Sequence, residues 1–189
     1  NYPKYIDDLK AQGIEFPEIA APKPKLYTLN SKLSKLFYHT VFYLTDTDKI
    51  NYYRYQAIAY LKPELRENQY EQAVLVSQSL AGIMKTLMIK RLESSFKAFK
   101  ISLQNLATAT GRMIEMFDKG KVLIAPDLRI NDLMEKGFSV EDLESMIMEM
   151  NIENPRNNVF TPDDFDNIFI DGLRKDCALL KELIKEWAN

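Results

Sequence analysis

IMKTLMIKRLESSFKAF, residues 83–99, is the stretch that decides the fold, because its apolar residues recur with the period of an α-helix. At about 100° per residue, one face of that helix carries a mixed set of side chains. The set is Leu80, Met84, Leu87, Arg91, Ser94, Ser95 and Ala98. A stripe of this kind packs against a core, so the stretch predicts a central helix with a guanidinium in its apolar seam.

Arg91 allows two interpretations. A buried guanidinium is costly unless its donors find partners, and Glu93 points about 160° away on the same helix. In the first interpretation, a partner therefore comes from another helix or another domain, beside the hydroxyls of Ser94 and Ser95. In the second, the methylenes of Arg91 lie along an apolar surface and the charge stays in water.

Helical periodicity extends outward from this stretch in both directions and predicts a predominantly all-α fold. We expect a helical bundle with one long central helix, which runs to about Thr108 or bends at Ser94-Ser95, and an extended N-terminal arm. We predict an extended arm or a linker from a preceding domain over residues 1–29, and a helical domain over residues 30–189. The helical domain comprises core helices (30–116), an acidic helical insert (117–160) and a closing helix (161–189).

Two helix starts carry recognisable capping residues. Ser139 precedes an apolar stripe, with Asp142 at the third helical position, which is close to a capping box. Thr161 offers a capping hydroxyl before a proline and two acids, which suit the positive end of a helix dipole. Near the N-terminus, a short helix is predicted around residues 5–12 and a strand over residues 25–29.

Charge is unevenly distributed along the 189 residues. Hydrophobic residues make up 46% of the chain and charged residues 28%, with a net charge of −2, which is ordinary globular composition. Residues 83–100 carry five basic groups and one acid, whereas residues 126–154 carry eight acids and two bases. The small net charge therefore conceals a basic segment and an acidic segment.

Composition also limits the possible chemistry. With Cys177 as the one cysteine and His39 as the one histidine, neither a disulfide framework nor a Cys/His zinc site is expected. No apolar run approaches the length of a membrane span and no signal peptide pattern is present, so we expect a cytoplasmic protein with no membrane partner. A chain that opens on Asn1 suggests a piece of a longer polypeptide.

No catalytic motif is recognisable. The sequence contains no phosphate-binding glycine loop, no zinc-protease motif and no nucleophile elbow, and no paired catalytic groups stand out. We therefore expect this chain by itself to be no enzyme, with no catalytic residue, no metal and no cofactor of its own.

Four lysines suggest a nucleic-acid contact. Lys85, Lys90, Lys97 and Lys100 fall within about 140° of one another if the helix is continuous, and such a row can neutralise phosphates without reading sequence. The alternative is a solvated lysine face.

One run of six residues is the most specific motif of the chain: Lys90-Arg91-Leu92-Glu93-Ser94-Ser95. Met84 and Leu87-Met88-Ile89 precede it, and Phe96-Lys97-Ala98-Phe99 follow it. In this context the run resembles a segment of Swi/Snf-type superfamily-two DNA helicases. In bacterial and phage-defence members, this segment lies between two RecA-like ATPase lobes, so the resemblance implies an intracellular protein of bacterial type. Weaker similarities occur in the same order from about residue 14 to 189. They are Phe16-Pro17-Glu18-Ile19, residues 25–29, Tyr53-Arg54-Tyr55, Tyr60-Leu61-Lys62, and a closing helix with Asp176, Leu179-Leu180 and Trp187.

The resemblance implies a non-catalytic helical region that bridges the two lobes of an ATP-dependent DNA helicase or translocase. The chain lacks the Walker A lysine, the Walker B acids and the arginine fingers, so ATP and magnesium would belong to the parent protein. Its partners would be the flanking lobes and double-stranded DNA. Arg91, with Ser94 and Ser95, would anchor the helical domain internally or hold the lobes against it. This hypothesis predicts that the guanidinium is not free in water.

A helical adaptor that binds another protein is the competing interpretation. Its support is the apolar face of the closing helix, Phe165 to Trp187, which needs a partner surface, together with the acidic stretch 126–154.

Overall fold

The computed structural model confirms the predominantly α-helical fold and divides the chain into two units, residues 1–30 and residues 31–189. It describes residues 6–13, 20, 21, 23, 28–66, 71–125, 128–151 and 157–188.

The first unit contains a short helix where one was predicted. Helix α1 spans Ile6–Ala11, and Gly13 follows it with a φ of 73°, the left-handed conformation that glycine adopts at helix ends. The strand predicted over residues 25–29 lies mostly outside the described residues, and the part that is described, Thr28 and Leu29, forms no regular element.

The second unit begins with α2 and ends with α8. Its longer helices are α2 (Ser31–Thr45), α4 (Glu71–Ser94), α5 (Phe96–Asp118), α7 (Val140–Asn151) and α8 (Asn167–Ala188). Its shorter elements are a 3-10 helix (Tyr53–Tyr60), α3 (Pro63–Arg66), β1 (Val122–Ile124), α6 (Ile130–Glu135), β2 (Asn158–Phe160) and a 3-10 turn (Pro162–Asp164).

Of the two alternatives for the central helix, the unbroken helix is wrong and the interruption at Ser94-Ser95 is confirmed, because the chain leaves the helical conformation at Ser95. This residue is extended, with φ −163° and ψ 119°, and its side chain accepts a hydrogen bond from the backbone N–H of Ala98 at 3.3 Å. Ser95 is thus the N-cap of α5, and its hydroxyl satisfies one donor that a new helix leaves unpaired. Two helices of 24 and 23 residues replace the continuous helix.

The main core is formed by α2, α4, α5 and α8. Leu92 of α4 and Phe99 of α5 are fully buried on either side of the break, and Trp187 of α8 packs its ring 5.4 Å from that of Phe99. The indole N–H of Trp187 donates to the hydroxyl of buried Thr40 at 2.9 Å, so α2 and α8 are joined by a satisfied polar contact inside the core.

The acidic insert contains two strands that were not predicted. Strands β1 and β2 pair antiparallel, with Val122 opposite Phe160 and Ile124 opposite Asn158. One face of this ribbon joins an aromatic cluster with Phe117, and the other packs against α7. The insert is therefore anchored to the C-terminal end of α5, which the sequence could not establish.

A buried carboxylate fixes the turn before the 3-10 helix. Asp176 of α8 is 2% exposed and accepts hydrogen bonds at 2.8 Å from the backbone N–H groups of Asn51 and Tyr53. Between them, Tyr52 adopts φ 58° and ψ 38°, an unusual conformation for a non-glycine residue. The two hydrogen bonds hold this left-handed turn against α8.

Candidate functional site

Helix α4 buries a different face from the one predicted. Its buried side chains are Ser77, Ala81, Met88 and Leu92, and the hydroxyl of Ser77 donates to the carbonyl of Tyr55 at 2.7 Å. This set is rotated by one residue, about 100°, from the predicted seam. Leu80 and Leu87, expected in the core, are 40% and 51% exposed.

Arg91 is correspondingly exposed, and its guanidinium makes no hydrogen bond or ion pair with the residues that the structure describes. The prediction of an internal anchor is therefore wrong, and the second interpretation, with the charge in water, is the one observed. The physical reason is that Leu92, one position along, occupies the core instead.

The exposed face of α4 is apolar along three turns. Val76, Leu80, Ile83 and Leu87 recur at intervals of four, three and four residues, and each is at least 40% exposed. We call these four residues the α4 stripe. Scattered exposed apolar side chains are ordinary, but a row on one helix face is typical of a surface that another protein covers.

The C-terminal end of the α4 stripe leads into a cleft of about 660 Å³. Four basic side chains line it: Arg54, Lys90, Arg91 and Arg112. We call this the basic cleft. Its other lining residues are Tyr55, Met84, Leu87, Met88, Ser94, Ser102, Asn105, Leu106, Thr108, Ala109, Asp132 and Glu135.

Three elements hold the cations of the basic cleft. Arg54 extends from the 3-10 helix, with its guanidinium 5.2 Å from the centre of the Tyr55 ring, which restrains it by a cation–π contact. Lys90 and Arg91 occupy the last turns of α4, and both are exposed. Arg112 comes from α5 and donates to the carboxylate of Glu135 in α6 at 3.2 Å.

The predicted lysine row does not exist as one surface, since the break at Ser95 separates its two halves. Lys85 donates to the carbonyl of Thr45 at 2.9 Å and so caps the last residue of α2. Lys97 and Lys100 are exposed on α5 but do not line the basic cleft. Of the four lysines, the cleft includes only Lys90.

The predicted polar cluster is also divided. Ser94 is exposed and lines the basic cleft beside Arg91, whereas Ser95 is the N-cap of α5. Arg54 and Arg112 are the residues that the sequence analysis missed. Both lie far along the chain from Arg91, and a single helix periodicity cannot relate residues on three elements.

The arrangement offers charge and hydrogen-bond donors rather than reactive groups. Within the described ranges, no set of three or more His, Cys, Asp or Glu side chains is placed to hold a metal ion. In the same part of the chain, no helix combines the length and the apolar character needed to cross a membrane. Cys177 is a buried thiol in the apolar face of α8.

Comparison with known proteins gives no relative: no family model, no curated protein and no solved structure matches this chain.

Proposed function

We propose that this chain is a non-catalytic helical region of an ATP-dependent DNA helicase or translocase, where it bridges the two RecA-like lobes and braces DNA. The observation that carries the proposal is the face of α4. Residues 90–94 of the run end that helix, and the α4 stripe beside them is uncovered by the described residues. In the parent protein, one of the flanking lobes covers the stripe.

The apolar area supports an interdomain contact. Burying exposed apolar surface contributes about 25 cal/mol per Å², so a row of four large side chains gains several kcal/mol when a partner covers it. Interfaces between domains of one chain are commonly of modest size and combine apolar with polar groups. The α4 stripe, with Lys90 and Arg91 at its end, has this composition.

The exposure of Arg91 removes one support for the proposal. A guanidinium buried at this position would have needed a partner from another element or domain, and Arg91 is instead exposed. What supports the proposal now is the ordered resemblance and the uncovered face of α4. Arg91 keeps a proposed role only as a residue that contacts a flanking lobe or DNA.

The reading frame around this segment tests the proposal most directly. We expect a Walker A lysine and Walker B acids on the N-terminal side, and arginine fingers on the C-terminal side, in a protein of the reducing cytoplasm. The isolated chain should hydrolyse no ATP, because the nucleotide site belongs to the parent. A frame without either ATPase half, or measurable turnover by the isolated chain, would contradict the proposal.

A helical adaptor that binds another protein is the second candidate, and the α4 stripe favours it equally. The apolar face of α8 no longer supports it, because that face packs on α5 within this chain. Two results together would favour the adaptor. The complete gene would contain no ATPase motifs, and substitutions in the α4 stripe would abolish co-purification of a partner protein.

A further inference from the structure

We infer that the basic cleft binds the phosphodiester backbone of DNA. The inference deepens the proposed function, because it names the surface on which the DNA part of that function rests. The lining contains four basic and two acidic side chains, so it carries a net charge of +2 in a protein whose total charge is −2. A positive concavity on a negative chain focuses attraction for anions at this place.

The donors of the cleft suit phosphate oxygens. Arginine presents a planar fork that bonds two phosphate oxygens at once, and three arginines from different elements line the cleft. Hydroxyl and amide side chains, which commonly contact the DNA backbone, lie among them. They are Tyr55, Ser94, Ser102, Asn105 and Thr108.

An excess of donors favours DNA over an acidic peptide. The deoxyribose-phosphate backbone presents acceptors, whereas a peptide also presents N–H groups that need acceptors. The carboxylates of the cleft come from α6 alone, and that of Glu135 already accepts from Arg112. The cleft therefore offers few carboxylate acceptors to the N–H groups of a peptide, whereas the phosphate oxygens of DNA can accept from its cations.

The size and exposure of the cleft favour a polymer. A volume of about 660 Å³ is far larger than one phosphate requires. Lys90, Arg91, Asn105 and Thr108 line it and are exposed, so the cleft opens to solvent and a continuous strand can pass along it. The structure thereby replaces the predicted row of four lysines with cations from three elements.

Fluorescence anisotropy with a labelled duplex of about 20 base pairs tests the inference at salt concentrations between about 50 and 200 mM. The double variant Lys90→Gln with Arg91→Gln should weaken binding at least about tenfold at the lowest salt. It should also reduce the slope of log K against log salt by nearly 2, since each phosphate contact contributes about 0.9. Both residues are exposed helix residues, so the fold should persist by circular dichroism.

The double variant Lys97→Gln with Lys100→Gln is the matched control. It removes the same charge from exposed positions outside the cleft, and it should change affinity less than about threefold. Arg54→Gln, on the 3-10 helix that lines the cleft, should weaken binding as a single change. Equal losses in the two double variants would indicate diffuse attraction and overturn the inference, as would the absence of DNA binding by the unmodified chain.

Two competitors separate the possible ligands. Polyglutamate at the same charge concentration should compete poorly, and competition as effective as that of unlabelled DNA would assign the cleft to an acidic protein instead. ATP should also compete poorly, and effective competition by ATP would indicate a mononucleotide site. If ATPase motifs flank the chain but the cleft binds no DNA, the proposed bridging of the lobes survives and this inference fails. If the cleft binds DNA but no ATPase motifs flank the chain, this inference survives and the helicase proposal fails.

Discussion

The fold alters the acid–base chemistry of Asp176. Burial raises the pKa of its carboxyl above the ordinary 3.8, although hydrogen bonds from the backbone N–H groups of Asn51, Tyr53 and Tyr52 oppose that shift. Because the pKa is higher in the folded state, the folded state retains the proton longer as the pH rises. The stability that the group contributes is present below pH 3.8 and is lost as the pH increases through the folded pKa.

We predict that Asp176→Asn destabilises the protein by about 1–3 kcal/mol at neutral pH, because the amide nitrogen that replaces one carboxylate oxygen cannot accept a backbone hydrogen bond. The difference in unfolding free energy between the unmodified protein and the variant should narrow as the pH rises from about 4 to 7. Urea unfolding across this range measures both effects. Asp171→Asn, an exposed acid on the same helix, is the control, and a gap that widens with pH would contradict the assigned direction.

Gly172 gives a second prediction at the scale of one residue. A Cβ at this position would lie 2.5 Å from ring atoms of Tyr53, which packs on Tyr60. Gly172→Ala should therefore destabilise the protein by about 1–3 kcal/mol through overpacking. Gly82→Ala and Gly111→Ala, also within helices, meet nothing within 4 Å and should stabilise it by up to about 1 kcal/mol. The melting temperatures of the three variants test this prediction. An increase for Gly172→Ala would contradict the close contact between Gly172 and the ring of Tyr53.

At the scale of elements, the break between α4 and α5 depends on Ser95. Ser95→Ala removes the hydroxyl that accepts from Ala98 and should cost about 1 kcal/mol, whereas Ser95→Asp should retain most of the stability by capping the same helix. Ser94→Ala, at the exposed end of α4, is the neighbouring control and should be close to neutral. The urea concentrations at the unfolding midpoints compare these three variants. Equal destabilisation by Ser94→Ala and Ser95→Ala would contradict the assignment of Ser95 as the N-cap of α5.

Capping chemistry was the most predictable part of the elements. Ser139 and Asp142 form the predicted reciprocal hydrogen bonds. The backbone N–H and the hydroxyl of Ser139 both donate to the Asp142 carboxylate and so lower its pKa. Thr161 and Asp164 form a capping box as well, although it starts the 3-10 turn and α8 begins only at Asn167. Such bonds join residues three apart, so local sequence specifies them.

The β1–β2 pair could not be predicted in the same way. It joins residues almost forty positions apart, and two three-residue strands give no periodic signal.

At the scale of the whole molecule, the orientation of α4 can be tested directly. Ile83→Ser with Leu87→Ser should change the unfolding free energy by less than about 1 kcal/mol, because both side chains are more than half exposed. Leu92→Ala, at a fully buried position, should cost about 2–5 kcal/mol. Chemical denaturation measures the unfolding free energy of both variants. Strong destabilisation by the double substitution at Ile83 and Leu87 would indicate that this face of α4, rather than the face of Leu92, packs in the core.

The sequence by itself determined the helical class, the position of a helix boundary near Ser94-Ser95 as one of two alternatives, and the caps at Ser139 and Thr161. These features depend on interactions within a few residues along the chain. Only the tertiary structure decided which face of α4 is buried, because α4 has apolar residues on two faces and periodicity alone cannot rank them. It also decided the basic cleft, since Arg54, Arg91 and Arg112 come together only when three separate elements pack.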